Sequence, residues 1–118
     1  MITGAHAILY CEDAEKARAF LRDVLKFEHV DAGHGWLIFA LPPAEVACHP
    51  LEAGQKPSHE LYFMCEDITA ATTELKARGV EFTMEPSDQG WGVLARFKVP
   101  GGGEIGIYQP RHPRPKHR

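Results

Sequence analysis

Glu60 and Arg96 stand out as residues able to do chemistry. In the apolar segment around Leu61, side chains alternate. Leu61, Phe63 and Cys65 form one apolar face, and Glu60, Tyr62 and Met64 the other. A carboxylate held in a partly apolar cavity is a candidate general base. In the segment after Trp91, Val93, Ala95 and Phe97 share one face, which leaves Leu94 and Arg96 on the other. Arg96 could pair with Glu60 or clamp a substrate carboxylate through two parallel hydrogen bonds. It could equally be an ordinary surface strand residue. Tyr62, Met64, Trp91 and Tyr108 are candidate pocket-lining residues, although each type is as often plain core.

Other chemistries are poorly served. Gly101-Gly-Gly103 has no following Lys-Ser/Thr and enters a strand, so it is no phosphate loop. No Gly-x-Ser-x-Gly occurs. Cys11, Cys48 and Cys65 form no CxxC pair, which disfavours a disulfide framework or a cysteine-zinc site and leaves buried, reduced thiols. The tail from Arg111 to Arg118 holds four of the 13 basic residues and no acid. Without it the balance is nine basic against 16 acidic residues, or −7. That acidic body argues against nucleic acid as a partner. The apolar runs are strand-sized, far below the roughly 18 residues of a membrane span. Met1–His6 lacks the character of a signal peptide, so the expected compartment is the cytoplasm.

The elements that must position these residues come in two copies. Tyr10-Cys-Glu-Asp13 recurs as Met64-Cys-Glu-Asp67, each time after an apolar strand and with the aspartate placed as a helix N-cap. Ala17, Phe20, Leu21, Val24 and Leu25 then form one helical face, and Ile68, Ala71, Thr72 and Leu75 do so more weakly before Gly79. Helices are expected near 13–25 and 67–78. Three strand segments follow each helix: 27–31, 36–41 and 45–49, then 80–85, 91–99 and 104–109. Gly35-Trp36 and Gly90-Trp91 mark the same strand start twice. The fold class is therefore α+β. A single domain over 1–110 is built from βαβββ modules 1–50 and 59–110, whose curved mixed sheets enclose a pocket. Residues 111–118 form a basic, proline-rich tail, read as a loose arm or as an arm that packs on a partner subunit.

This layout resembles the vicinal oxygen chelate superfamily, which includes glyoxalase I, fosfomycin-resistance transferases, extradiol dioxygenases and bleomycin-binding proteins. His6-Ala-Ile-Leu-Tyr-Cys-Glu-Asp13, followed by Ala17 to Phe27, is similar to the family's first strand and helix. Val99-Pro-Gly-Gly-Gly-Glu-Ile-Gly-Ile-Tyr-Gln-Pro110 is similar to its last turn and strand. The resemblance implies a divalent metal (zinc, manganese, iron or nickel) held by His and Glu from the first and last strands of each module. It places the first ligand of each module seven residues before the cap aspartate. His6 fills that position before Asp13, and Glu60, not His59, fills it before Asp67. The last-strand positions match Ala47 and Gly106, which carry no ligand atoms. His49, two residues on from Ala47, could serve as a displaced third ligand. The expectation is weak or no metal binding, restored by a glutamate at position 106. The resemblance also implies a homodimer, consistent with sheet edges left uncovered by short modules.

Two functions follow. One is a metal- or carboxylate-assisted lyase, isomerase, transferase or dioxygenase acting on a small oxygenated substrate. The alternative is a metal-free protein that sequesters a small molecule, as bleomycin-binding relatives do. His6 and Glu60 tilt the reading towards the enzyme, and Gly106 and Ala47 towards the binder. A subunit that only mediates protein contacts is a third option.

Overall fold

A computed structural model of the chain describes residues 7–9, 11–45, 47 and 49–113. The chain is α+β, as expected. Helix α1 (Ala14–Ala19) runs into a π-helical turn (Phe20–Val24). Strands β1 (His29–Asp31) and β2 (Leu37–Phe39) pair as an antiparallel hairpin. Then come β3 (Tyr62–Met64), helix α2 (Ile68–Ala77), β4 (Phe82–Asp88), β5 (Gly92–Val99) and β6 (Gly103–Pro110). The last four strands form one sheet in the order β3-β6-β5-β4, with β3 parallel to β6 and the other pairs antiparallel. No helix among the described residues is long and apolar enough to cross a membrane.

Both N-caps act as the sequence dictates. The Asp13 carboxylate accepts from the Lys16 amide at 3.0 Å, and the Asp67 carboxylate from the Ala70 amide at 3.1 Å. Gly79, at φ +87°, takes the left-handed turn that ends α2.

The two helices share one face of the four-stranded sheet. Ile68 and Leu75 of α2 join Ala17 of α1 and Phe20 in a core with Ala95, Phe97, Val99, Ile105 and Ile107. The Phe20 and Phe97 rings stand 5.9 Å apart. The first repeat's helix is thus built into the second repeat's core. The β5–β6 turn makes room for it. An added Cβ at Gly101 would lie 2.5 Å from the Asp13 carbonyl oxygen, and the Asp13 amide donates to the Gly101 carbonyl at 3.0 Å.

Around the first hairpin the structure departs from the sequence reading. Strands β1 and β2 are shorter than the expected 27–31 and 36–41. Among the described residues, neither the 7–11 segment nor the 45–49 segment is a strand; Tyr10, Val46 and Cys48 lie outside them. Ala40 and Leu41 follow β2 and lead into Pro42 and Pro43, and proline has no N–H for a ladder. Even so, Leu9 and Cys11 pack against the core while Ile8 is exposed, the facing that alternation predicts.

Candidate functional site

Alternation sends Phe97, Ile105 and Ile107 to the helices, so Arg96, Gly106 and Tyr108 take the helix-free face. Strand register then sets three residues in a row. Gly106 on β6 lies opposite Tyr62 on β3 and opposite Arg96 on β5. The glycine decides what happens there. An added Cβ at Gly106 would stand 2.1 Å from Cδ1 of Tyr62, so the Tyr62 ring occupies the space a side chain would need. Across that gap the Arg96 guanidinium donates to the Tyr62 hydroxyl at 3.0 Å and lies 5.4 Å from the centre of its ring. The same hydroxyl donates to the Glu60 carboxylate. Burial, and then the bond to Glu60, push the Tyr62 phenol above its usual range, so it stays protonated and keeps its role as donor.

The next row holds the aromatic residues. Met64, Tyr108 and Leu94 pair across β3, β6 and β5. Leu94 and Tyr108 are buried but stand apart from the helix-side core. Tyr108 meets Tyr62 edge-on at 6.1 Å and Trp91 edge-on at 5.2 Å. Trp91 opens β5 from a turn that is clipped shut. The Asp88 carboxylate accepts from the Gly90 amide at 2.8 Å and from Arg111 at 2.6 Å, and the Arg111 amide donates to the Trp91 carbonyl at 2.9 Å. The Gly90 amide, and then Arg111, hold the Asp88 carboxyl below the usual range.

Arg111 and His112, the first residues of the expected tail, contact the rest of the chain. The Pro113 carbonyl faces Nδ1 of His112 at 2.8 Å and accepts a hydrogen bond from it. Nε2 lies 3.1 Å from the Tyr108 hydroxyl, within hydrogen-bonding distance. Oε2 of Glu45 stands 3.6 Å from the same nitrogen. The sequence pointed to Tyr108 but gave no sign of His112. Prolines around it signal an extended arm, and nothing local says where an extended arm lands.

The sequence profile of the Glyoxalase/Bleomycin resistance protein/Dioxygenase superfamily matches residues 4–107. The chain belongs to this superfamily. It is 30% identical over 105 residues to the protein YetH of Bacillus subtilis (strain 168), covering 80% of this chain and 87% of YetH. A superfamily member from Sphaerobacter thermophilus DSM 20745 superposes with a TM-score of 0.64 at 29% identity, covering 92% of this chain and 98% of that one. TnmS3, an antibiotic-binding protein from Streptomyces sp. CB03234, superposes at 0.62 with 27% identity, covering 93% and 99%.

The metal that the superfamily resemblance implies does not fit the described residues. Among them no three His, Cys, Asp or Glu side chains converge. The space at Gly106 holds the Tyr62 ring, and the Glu60 carboxylate is engaged by the Tyr62 hydroxyl. In the same row stands the Arg96 guanidinium, a fixed positive charge that opposes a divalent cation. His49 and Ala47 are exposed, and His6 lies outside the described residues. The idea that a glutamate at 106 would restore a ligand meets the same ring. Of the proposed site residues, the structure gathers Glu60, Tyr62 and Arg96 into one hydrogen-bonded chain and sets Trp91 and Tyr108 beside it. Met64 belongs to the Tyr108 row and also edges a cleft of roughly 230 Å³ on the helix side, lined by Leu25, Phe27, Phe63 and Leu75. The polar groups at that cleft, Glu74 and Arg78, already pair at 2.5 Å. It offers a ligand little that is directional.

Proposed function

We propose that this superfamily member binds a small organic molecule on the helix-free face of its four-stranded sheet, without a metal ion. One observation carries the reading: Tyr62 lies over Gly106 and meets Arg96, so the space for a further ligating side chain is filled by an aromatic ring. Beside that contact, Trp91, 39% exposed, offers aromatic surface and is backed edge-on by the buried Tyr108. An apolar wall with a few fixed polar groups is the usual make-up of a small-molecule site. TnmS3, the antibiotic-binding protein at 27% identity, supports the same reading. In the enzyme alternative Glu60 or a nearby acid moves a proton, and here the Glu60 carboxylate accepts a hydrogen bond from the Tyr62 hydroxyl.

The test is a thermal-shift screen of aromatic and oxygenated small molecules in excess EDTA. A ligand of the native state raises its melting temperature. Hits are expected for the wild type, with the shift lost in Trp91→Ala and Tyr108→Ala. Shifts that appear only when zinc, manganese, iron or nickel replaces EDTA would return the weight to the metal enzyme.

The proposal includes a homodimer. Val30, Trp36, Ile38 and Leu41, in and around the first hairpin, are 65%, 65%, 38% and 41% exposed. Apolar surface of this kind, beside short strands with free edges, suits a second copy. Sedimentation at micromolar concentration should give a dimer for the wild type and a shift towards monomer for Trp36→Glu.

A further inference from the structure

Among the described residues, Arg96 differs from the other arginines that hydrogen-bond. Arg22 meets Asp23 at 2.7 Å, Arg78 meets Glu74 at 2.5 Å and Arg111 meets Asp88 at 2.6 Å, all on the surface. Arg96 is half-buried, and among the described residues no carboxylate reaches it. Its one hydrogen-bond partner there is the neutral Tyr62 hydroxyl. A guanidinium has five N–H donors in a planar fork, so most of its capacity is unused. A half-buried cation with no carboxylate in direct contact draws an anion, and a fork of donors suits two oxygens on one atom.

We infer that the Tyr62–Gly106–Arg96 row takes the carboxylate of an aromatic acid. This rests on the reading that the helix-free face is the ligand site, and it adds the ligand's chemical class. The spacing suits it. Tyr108 lies two residues beyond Gly106 on β6, or about 7 Å along a strand. A carboxylate at Arg96 therefore sets an attached ring beside Tyr108 and Trp91, whose own rings are 5.2 Å apart. Tyr62 assists by holding Glu60 away. Its hydroxyl gives its proton to Glu60 and a lone pair to Arg96, so the two charges meet only through a neutral group. Gly106 makes this possible, since any side chain there would displace the Tyr62 ring.

The experiment is calorimetry in EDTA with two probes of one shape, naphthalene-2-carboxylate and naphthalene-2-carboxamide. The wild type is expected to bind the acid at least about tenfold more tightly than the amide, the value of one charge-assisted fork. Arg96→Gln should erase that preference. Glu60→Gln, which removes the competing carboxylate, should strengthen acid binding about threefold. Opposite shifts in the two variants separate anion recognition from general loss of fold. Equal binding of acid and amide, with both weakened by Trp91→Ala, would overturn this inference and leave the pocket reading standing. If neither probe binds, or binding ignores Arg96 and Trp91 alike, both readings fall.

Discussion

Among the described residues, the second repeat forms a four-stranded sheet and the first a two-stranded hairpin. Both open with a Cys-Glu-Asp cap, and both place Gly-Trp before a strand. Yet β5 spans Gly92–Val99 with most of its residues buried, whereas β2 spans Leu37–Phe39 and none of its residues is buried. The cause sits at one equivalent place. After β5 the chain reads Pro100-Gly101-Gly102-Gly103, and Gly101 and Gly103, at φ +75° and +78°, let it turn back into β6. After β2 it reads Ala40-Leu41-Pro42-Pro43-Ala44, which has no glycine for a left-handed turn and two residues without an N–H. A repeat detected from caps and strand starts thus fixes helices well and strand pairing poorly, because pairing depends on the turn.

The difference should show first in stability. Phe97 is fully buried, and Phe97→Ala is expected to cost about 3–5 kcal/mol in denaturant unfolding. Ile38→Ala in the first hairpin should cost less than about 1 kcal/mol at protein concentrations where the chain is monomeric. Comparable losses would mean that the first hairpin is packed as firmly as the sheet.

Gly106→Glu sharpens the comparison of the two last-strand positions, Gly106 and Ala47. The Tyr62 ring must move to admit it, with an expected loss of about 1–3 kcal/mol and no gain in zinc, nickel or manganese affinity by calorimetry. Ala47→Glu, at an exposed position, should be nearly neutral. Tight metal binding by Gly106→Glu would mean that the ring yields easily.

The caps are where the repeats should agree. Asp13→Ala and Asp67→Ala are each expected to cost about 1 kcal/mol. A silent Asp13→Ala would show that α1 owes its place to packing alone.

The smallest effect expected is that of pH on the Trp91 turn. The Asp88 carboxyl is depressed in the folded state, so its contribution is present above the unfolded value of about 3.9 and is lost as pH falls through the folded value. Melting curves of wild type and Asp88→Asn should differ at neutral pH and converge below about pH 4. A constant gap down to pH 2 would contradict the clip.

The site was legible where strand alternation applied. The parity of residues 60–65 and 91–97 put Tyr62, Leu94 and Arg96 on one face, and the register of β3, β6 and β5 agrees for these three. The role of Gly106 was not legible. Against the resemblance it read as a lost ligand, whereas in the fold it is the gap that lets Tyr62 reach Arg96. That contact spans two strand pairings, and no local pattern encodes it. His112 escaped for a related reason, since Glu45, which stands beside it, is far away in the sequence.

The central claim is that ligand binds on the helix-free face. Amide chemical-shift mapping of the isotope-labelled protein with naphthalene-2-carboxylate in EDTA tests it directly. The account predicts shifts concentrated at Tyr62, Leu94, Arg96, Gly106 and Tyr108, with the helix-side cleft at Leu25, Phe27 and Leu75 unmoved. Shifts confined to that cleft, or none at saturating probe, would contradict it.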